Sequence, residues 1–146
     1  MATIKFFGAA QEVTGSCHLL SSPAFGDILL DCGMHQGGSS IKRIQHEHFL
    51  FAPNKIDVVV LSHAHLDHSG MLPKLVHQGF EGPIYCADAT ADLLKVMLMD
   101  SVGIYLGDLA RENRQLARKG KPLLEPEYRE EDVVKTLSLC QTHHYN

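Results

Sequence analysis

The stretch from Val58 to Gly70 reads VVVLSHAHLDHSG, and it carries the strongest structural and chemical signal in the chain. Its first four residues, Val58–Leu61, form an uninterrupted apolar run, and the pattern His-x-His-x-Asp-His follows almost at once. A continuous β-branched run is typical of a strand that is buried on both faces. The sequence therefore predicts a central strand whose carboxyl end carries three histidines and an aspartate.

The candidate metal ligands in this loop are His63, His65, Asp67 and His68. Neutral imidazoles and a carboxylate suit Zn²⁺ or a similar borderline metal. Four such ligands crowd a single tetrahedral ion that keeps an open position. Two neighbouring ions are therefore favoured, with His63 and His65 on one and Asp67 and His68 on the other. A structural zinc site or a histidine-rich surface loop is the alternative, but the position between a buried strand and a helix favours a functional site.

The bulk composition restricts the class of protein. A chain of 146 residues, 45% hydrophobic and 21% charged, fits one soluble globular domain. Its formal net charge of -4 argues against general affinity for nucleic acid, although it says little about a local groove. The four irregularly spaced cysteines, the absence of a long apolar N-terminal core and the absence of a membrane-length apolar run together predict reduced thiols and a cytoplasmic location.

The rest of the chain alternates between strand and helix signals. Three closely spaced strands before Gly33, the last ending at Asp31, predict an antiparallel meander. Helices are expected over 39–50, from about Ser69 to residue 80, from Asp88 or Thr90 to Gly120, and over 130–140. A further strand is expected over 82–87. The fold class predicted from these signals is mixed α/β (α+β).

The histidine motif after an apolar strand resembles the metallo-β-lactamase superfamily of hydrolases. The resemblance implies a four-layer αββα sandwich and identifies Asp31 as a carboxylate that orients the histidine loop without binding metal. The flanking segments are similar to the β-CASP branch, which processes RNA: GAAQEVTGSCHLL at 8–20, IYCADATADLLKVMLMDS at 84–101 and YREEDVVKTLSLC at 128–140.

The chain departs from this family near its end. The family completes its site with a further histidine, a bridging aspartate and a late histidine, all later in a longer chain. His143 and His144 are weak candidates for the first of these, because neither a preceding strand nor a glycine-rich turn is evident beside them. We therefore expect residues 1–146 to be the N-terminal part of a metallo-β-lactamase domain, without its second half and without the β-CASP cap.

The resemblance implies zinc-dependent cleavage of RNA phosphodiester bonds by a hydroxide held between two zinc ions, with Asp67 also orienting this nucleophile. Single-stranded RNA is the expected partner of the full-length parent. The chain alone is expected to bind partial zinc or none, to cleave no RNA and to self-associate, with no membrane contact. The alternatives are a small-molecule hydrolase, of the thioesterase or lactonase type, and a catalytically inert truncated domain.

Two features outside the metal loop bear on substrate binding. Ser69 and Gly70 are expected to open a helix whose free N–H groups could meet a phosphate, although Ser69 could equally be a helix cap. The main basic residues form either a phosphate track or, as the interleaved Glu112 favours, a solvated helix face. These basic residues are Lys42, Arg43, Arg111, Arg114, Arg118, Lys119 and Lys121.

Overall fold

A single six-stranded sheet organises the computed structural model, which describes residues 1–144. The strands lie in chain order from one edge of the sheet to the other. They are β1 (Thr3–Gly8), β2 (Cys17–Ser22), β3 (Gly26–Leu30), β4 (Val58–Val60), β5 (Ile84–Ala87) and β6 (Cys140–His143). Strands β1 to β3 pair antiparallel, and β3 to β6 pair parallel. The predicted meander and the mixed α/β class are confirmed.

Strand β4 is central, as predicted, because it pairs with β3 on one side and β5 on the other. The prediction that β4 is buried on both faces is wrong. Val59 is fully buried, whereas the side chain of Val60 is 41% exposed. The register places Val60 on one face together with Leu30 and Tyr85, and these two are only partly buried. No layer formed by residues 1–144 covers that face.

Within residues 1–144, five α-helices and a short 3₁₀ turn at Pro53–Lys55 connect or flank the strands. The α-helices are α1 (Ser40–Gln45), α2 (Leu66–Ser69), α3 (Leu72–His77), α4 (Asp88–Arg118) and α5 (Glu130–Leu139). The long helix α4 runs without interruption through Gly103 and Gly107. Helix α5 packs against α3 and α4. The core lies between these helices and the sheet face that carries Leu29, Val59 and Ile84.

Three predicted helices have different bounds in the structure. Helix α1 stops at Gln45, five residues before the predicted end. The helix expected from Ser69 is two helices, and the first begins at Leu66, inside the histidine motif. The last helix ends at Leu139, and Cys140–His143 forms an edge strand that the sequence analysis missed. Within residues 1–144, no helix combines the length and the apolar character needed to cross a bilayer.

Candidate metal centre

Asp31 directly follows β3 and connects that strand to the histidine loop. Its Oδ1 accepts a hydrogen bond from the backbone N–H of Ser62 at 2.7 Å. Its Oδ2 accepts from the Ser62 hydroxyl at 2.9 Å and from Nδ1 of His68 at 2.7 Å. The backbone of Asp31 is left-handed, with φ at 60°, a conformation that aspartate tolerates better than most residues. The hydrogen bonds predicted between Asp31 and the loop are therefore present.

The Ser62 hydroxyl extends the influence of Asp31 to a second histidine. Because its proton is donated to Asp31, the Ser62 oxygen is free to accept from Nδ1 of His63, which lies 3.0 Å away. Both His63 and His68 then carry the ring proton on Nδ1, and each offers the lone pair of Nε2. One carboxylate thus fixes the tautomer of two histidines, the arrangement that metal-binding imidazoles require.

Backbone hydrogen bonds hold the loop against the segment that follows β3. The N–H of Cys32 donates to the carbonyl of His68, and the N–H of Met34 donates to that of Leu66, each at 2.8 Å. Gly33 lies between these two contacts, and a Cβ at this position would lie 1.7 Å from the carbonyl oxygen of Asp67. Only glycine allows the two segments to approach so closely.

Three of the four predicted ligands form one donor set. Ligand atoms of His63, Asp67 and His68 all lie within 4.8 Å of one another, and the three residues are half-buried. His65 lies outside this set, but its ring centroid is 4.8 Å from that of His63. The structure therefore groups His63 with Asp67 and His68 and places His65 beside them.

The donor set fits a divalent metal of the borderline class. Nε2 of His68 lies 3.4 Å from a carboxylate oxygen of Asp67, so the imidazole lone pair and the negative charge converge on the same space. A thiol does not compete for this position. Burial raises the pKa of Cys32, with further contributions from Cys17 and Asp31, so the neighbouring thiol stays protonated.

The free N–H groups on which a phosphate contact at Ser69 and Gly70 was predicted are not present. The N–H of Ser69 donates to the carbonyl of His65 at 3.0 Å, and that of Gly70 donates to Leu66 at 2.8 Å. Ser69 is fully buried and is the last residue of α2, and its hydroxyl donates to the carbonyls of Ala64 and His65. Neither residue offers a free N–H group, because the helix begins before them.

The histidines near the end of the described residues lie at the edge of the sheet. We expected no strand before these histidines. This expectation is wrong, since strand β6 ends at His143. The ring of His143 lies beside Tyr85, with centroids 5.6 Å apart, and His144 forms an ion pair with Asp88. Both histidines are exposed, and neither belongs to the donor set.

Sequence reasoning missed the residues that support the donor set, namely Ser62 and Gly33. Each carries a local signal in hindsight. Ser62 is the only polar residue between the apolar strand and His63, and Gly33 follows the strand-end pair Asp31–Cys32. The roles of Ser62 and Gly33 depend on contacts with Asp31 and Asp67, which lie far from them in the sequence. The sequence does not reveal such contacts.

The chain matches the family model of the metallo-beta-lactamase superfamily over residues 13–144. The protein therefore belongs to this superfamily, and the resemblance carried by the histidine motif is confirmed. Its curated relatives narrow the assignment, because they belong to the β-CASP branch.

Three of these relatives are Ribonuclease TTHA0252 of Thermus thermophilus, Transcription termination factor FttA of Methanosarcina mazei and Integrator complex subunit 11 of Gallus gallus. The ribonuclease is 48% identical over 98 residues, which is 67% of this chain and 22% of the relative. The termination factor is 38% identical, and the match covers 77% of this chain and 17% of the relative. The Integrator subunit is 37% identical, and the match covers 64% of this chain and 16% of the relative. The chain thus spans about a fifth of the length of the relatives it matches.

Solved structures of the superfamily align more distantly. The short form of human tRNase Z aligns over 84% of this chain and 42% of its own, with 19% identity and a TM-score of 0.41. A metallo-β-lactamase mutant from Cronobacter sakazakii aligns over 61% of this chain and 32% of its own, with 23% identity and a TM-score of 0.42. The assignment to the superfamily rests on the family model.

Proposed function

We propose that this chain provides the metal-holding part of a zinc-dependent ribonuclease. The observation that carries the proposal is the Asp31–His68 hydrogen bond beside a donor set of two histidines and an aspartate. The names of two relatives, Ribonuclease TTHA0252 and Probable RNase MJ4, support a hydrolase that acts on RNA. The expected substrate is single-stranded RNA.

The residues of the loop have distinct parts in this proposal. His63, His65, Asp67 and His68 would hold the metal, and Asp67 would also orient the attacking water. When bound, zinc ions lower the pKa of a water molecule and stabilise negative charge on phosphate oxygens. Asp31 would keep the imidazole of His68 in the tautomer that binds metal and would hold its ring in place.

The number of donors suggests how the activity is divided. Two tetrahedral ions with an open position each need about three protein ligands. His63, His65, Asp67 and His68 supply four. We therefore propose that two ions are held only in a longer natural form, and that the 146-residue chain binds zinc partially and cleaves no RNA. A cytoplasmic location stays a prediction.

The test is cleavage of an end-labelled single-stranded RNA by the 146-residue chain and by any longer natural form that contains it. We expect the longer form to cleave, and His63→Ala and Asp67→Ala to abolish its activity. His77→Ala is the matched control, because His77 contacts Asp132 at 3.0 Å and lies outside the donor set. Equal activity of all variants would overturn the proposal.

A further inference from the structure

Arg43 has an unusual environment for a charged side chain. It lies on α1 and is partly buried, and its Nε is shielded from solvent without a hydrogen-bond partner among residues 1–144. None of the ion pairs found within residues 1–144 includes it. Because an unpaired, partly desolvated charge is costly, an anion bound at this position would stabilise the guanidinium.

The side chain lines two adjoining clefts that both contact the metal loop. One, of about 340 Å³, is bordered by Met34, Gln36 and Leu66. The other shares Met34 and Leu66 with the first and is also bordered by Ser101 of α4. Leu66 lies between the predicted ligands His65 and Asp67, so the loop that carries the donor set also forms a wall of the Arg43 cleft.

The acidic residue that lines the deeper cleft does not neutralise Arg43, because Asp100 forms no ion pair with it within the described residues. A guanidinium presents several N–H donors in a planar fork, which matches the oxygens of a phosphate. The first cleft is open enough to admit such a group, and its position is beside the loop at which the scissile phosphate would bind.

We propose that Arg43 binds a backbone phosphate of single-stranded RNA next to the metal centre. This inference rests on the proposed ribonuclease function and adds a substrate contact from outside the histidine loop. Arg43 thereby takes the place of Ser69 and Gly70, whose N–H groups are engaged within α2. The remaining basic residues on α4, such as Arg114, are exposed and belong to a solvated helix face.

The experiment measures binding of a fluorescein-labelled RNA of ten nucleotides to the native 146-residue chain by fluorescence anisotropy. Metal is removed with EDTA so that zinc at the donor set does not contribute to RNA binding. Arg43→Gln is expected to weaken binding by about tenfold, as loss of a charge-assisted contact does, and to lower the salt slope by about 0.7, the value for one phosphate on a single strand. Arg43→Lys keeps the charge but loses the planar fork of N–H donors. Its affinity for RNA should lie between those of the native chain and Arg43→Gln.

Arg114→Gln is the matched control, because Arg114 is an exposed arginine on α4. It should bind RNA within about twofold of the native chain, as expected for a surface side chain without a defined contact. Thermal unfolding of each variant checks folding, and Arg43→Lys serves as the test variant if Arg43→Gln unfolds.

Three results would overturn the inference: equal losses in Arg43→Gln and Arg114→Gln, no loss in Arg43→Gln, or no binding of RNA by the native chain. Inorganic phosphate supplies a further arm. If it raises the melting temperature of the native chain but not of Arg43→Gln, while RNA affinity is the same in both, the cleft binds free phosphate and the inference also fails. None of these outcomes depends on RNA cleavage by the donor set, so the ribonuclease proposal is judged separately.

Discussion

The carboxylate of Asp31 accepts a hydrogen bond from Nδ1 of His68 at 2.7 Å, across 37 positions of sequence. The bond joins the end of β3 to the helix that begins inside the histidine motif. It leaves Nε2 of His68 directed towards Asp67. The carboxyl ends of the parallel strands β3 and β4 therefore act together. The loop after β4 supplies the candidate ligands, and Asp31 after β3 fixes their orientation.

The Asp31→Asn variant should retain the fold and lose metal affinity. The amide oxygen can replace only one of the two carboxylate oxygens. If it accepts from the Ser62 N–H, the amide NH₂ group faces Nδ1 of His68 and cannot accept its proton. We expect zinc affinity to fall by about 10- to 100-fold, the usual cost of losing a group that supports a ligand. Competition with a chromophoric chelator measures this. Asp57→Asn is the control, since Asp57 also accepts a backbone hydrogen bond, from Asp27, but lies away from the loop. Equal affinity of both variants would contradict the importance of Asp31.

Removal of the Ser62 hydroxyl should release the tautomer of His63. Without that oxygen, Nδ1 of His63 loses its acceptor, and the proton can move to the nitrogen that would bind metal. We expect Ser62→Ala to shift the ring nitrogen signals of His63 in ¹⁵N NMR spectra of the metal-free chain and to weaken zinc binding. Ser138→Ala removes a hydroxyl that bonds only within α5, so it should change neither. An unchanged His63 spectrum in Ser62→Ala would show that the hydroxyl does not set the tautomer.

His35 predicts a pH dependence of stability that is separate from the metal loop. Partial burial lowers its pKa, but hydrogen bonds and charges from Glu47 and Glu12 outweigh that effect, and the pKa is raised above its ordinary value of 6.5. A raised pKa in the folded state means that the protonated histidine stabilises the fold fully below pH 6.5 and progressively less as the pH rises through the folded value.

We therefore expect the urea midpoint of the native chain to decline more steeply with pH above 6.5 than that of His35→Gln. His46→Gln, at an exposed position beyond α1, should follow the native curve. Parallel curves for the native chain and His35→Gln would show that Glu12 and Glu47 do not hold a proton on His35.

The open face of the sheet should cause the 146-residue chain to associate with itself. Phe6, Leu30 and Val60 share this face, and the side chain of Phe6 is 60% exposed. Although His18 lies between Phe6 and Leu30, exposed apolar surface of this kind favours association. Sedimentation velocity over a range of concentrations should reveal oligomers, and Val60→Lys should reduce them. Val134→Lys, at an exposed valine on α5, is the control. A monomer with a sharp, concentration-independent melt would contradict this prediction.

Periodicity in the sequence was enough to predict the parts of the fold that depend on local pattern. The meander followed from three closely spaced strand signals, and the central position of β4 followed from a continuous apolar run. Strand β6 did not, because Gln141, Thr142 and His143 carry no apolar pattern, and their pairing depends on the neighbouring edge of β5.

The early end of α1 has a cause far away in the sequence. Nζ of the buried Lys74 donates to the carbonyls of Ile44 and Glu47 at 2.7 and 2.6 Å. In a longer helix, these carbonyls would accept from residues four positions later. A lysine about 30 residues away satisfies them instead, and it also forms an ion pair with Glu127. The helical pattern of 39–50 is therefore overridden by a tertiary contact that no local reading could reveal.

The candidate site, too, was predicted only where local sequence pattern or family resemblance identified its residues. The motif itself identified His63, His65, Asp67 and His68, and the resemblance identified Asp31. The grouping of His63 with Asp67 and His68 depends on where α2 begins, and this start was misplaced in the sequence analysis. The same error led to the expectation of free N–H groups at Ser69 and Gly70.

The most direct test of the central claim is a zinc titration of the metal-free 146-residue chain, followed by competition with a chromophoric chelator. The native chain should bind zinc with less than two equivalents, and His68→Ala should lose at least about tenfold in affinity, as expected when a metal ligand is removed. His77→Ala should bind as the native chain does, since its ring contacts Asp132 on α5. Native-like zinc binding by His68→Ala, or equal losses in the two variants, would show that the cluster around Asp31 is not a metal centre.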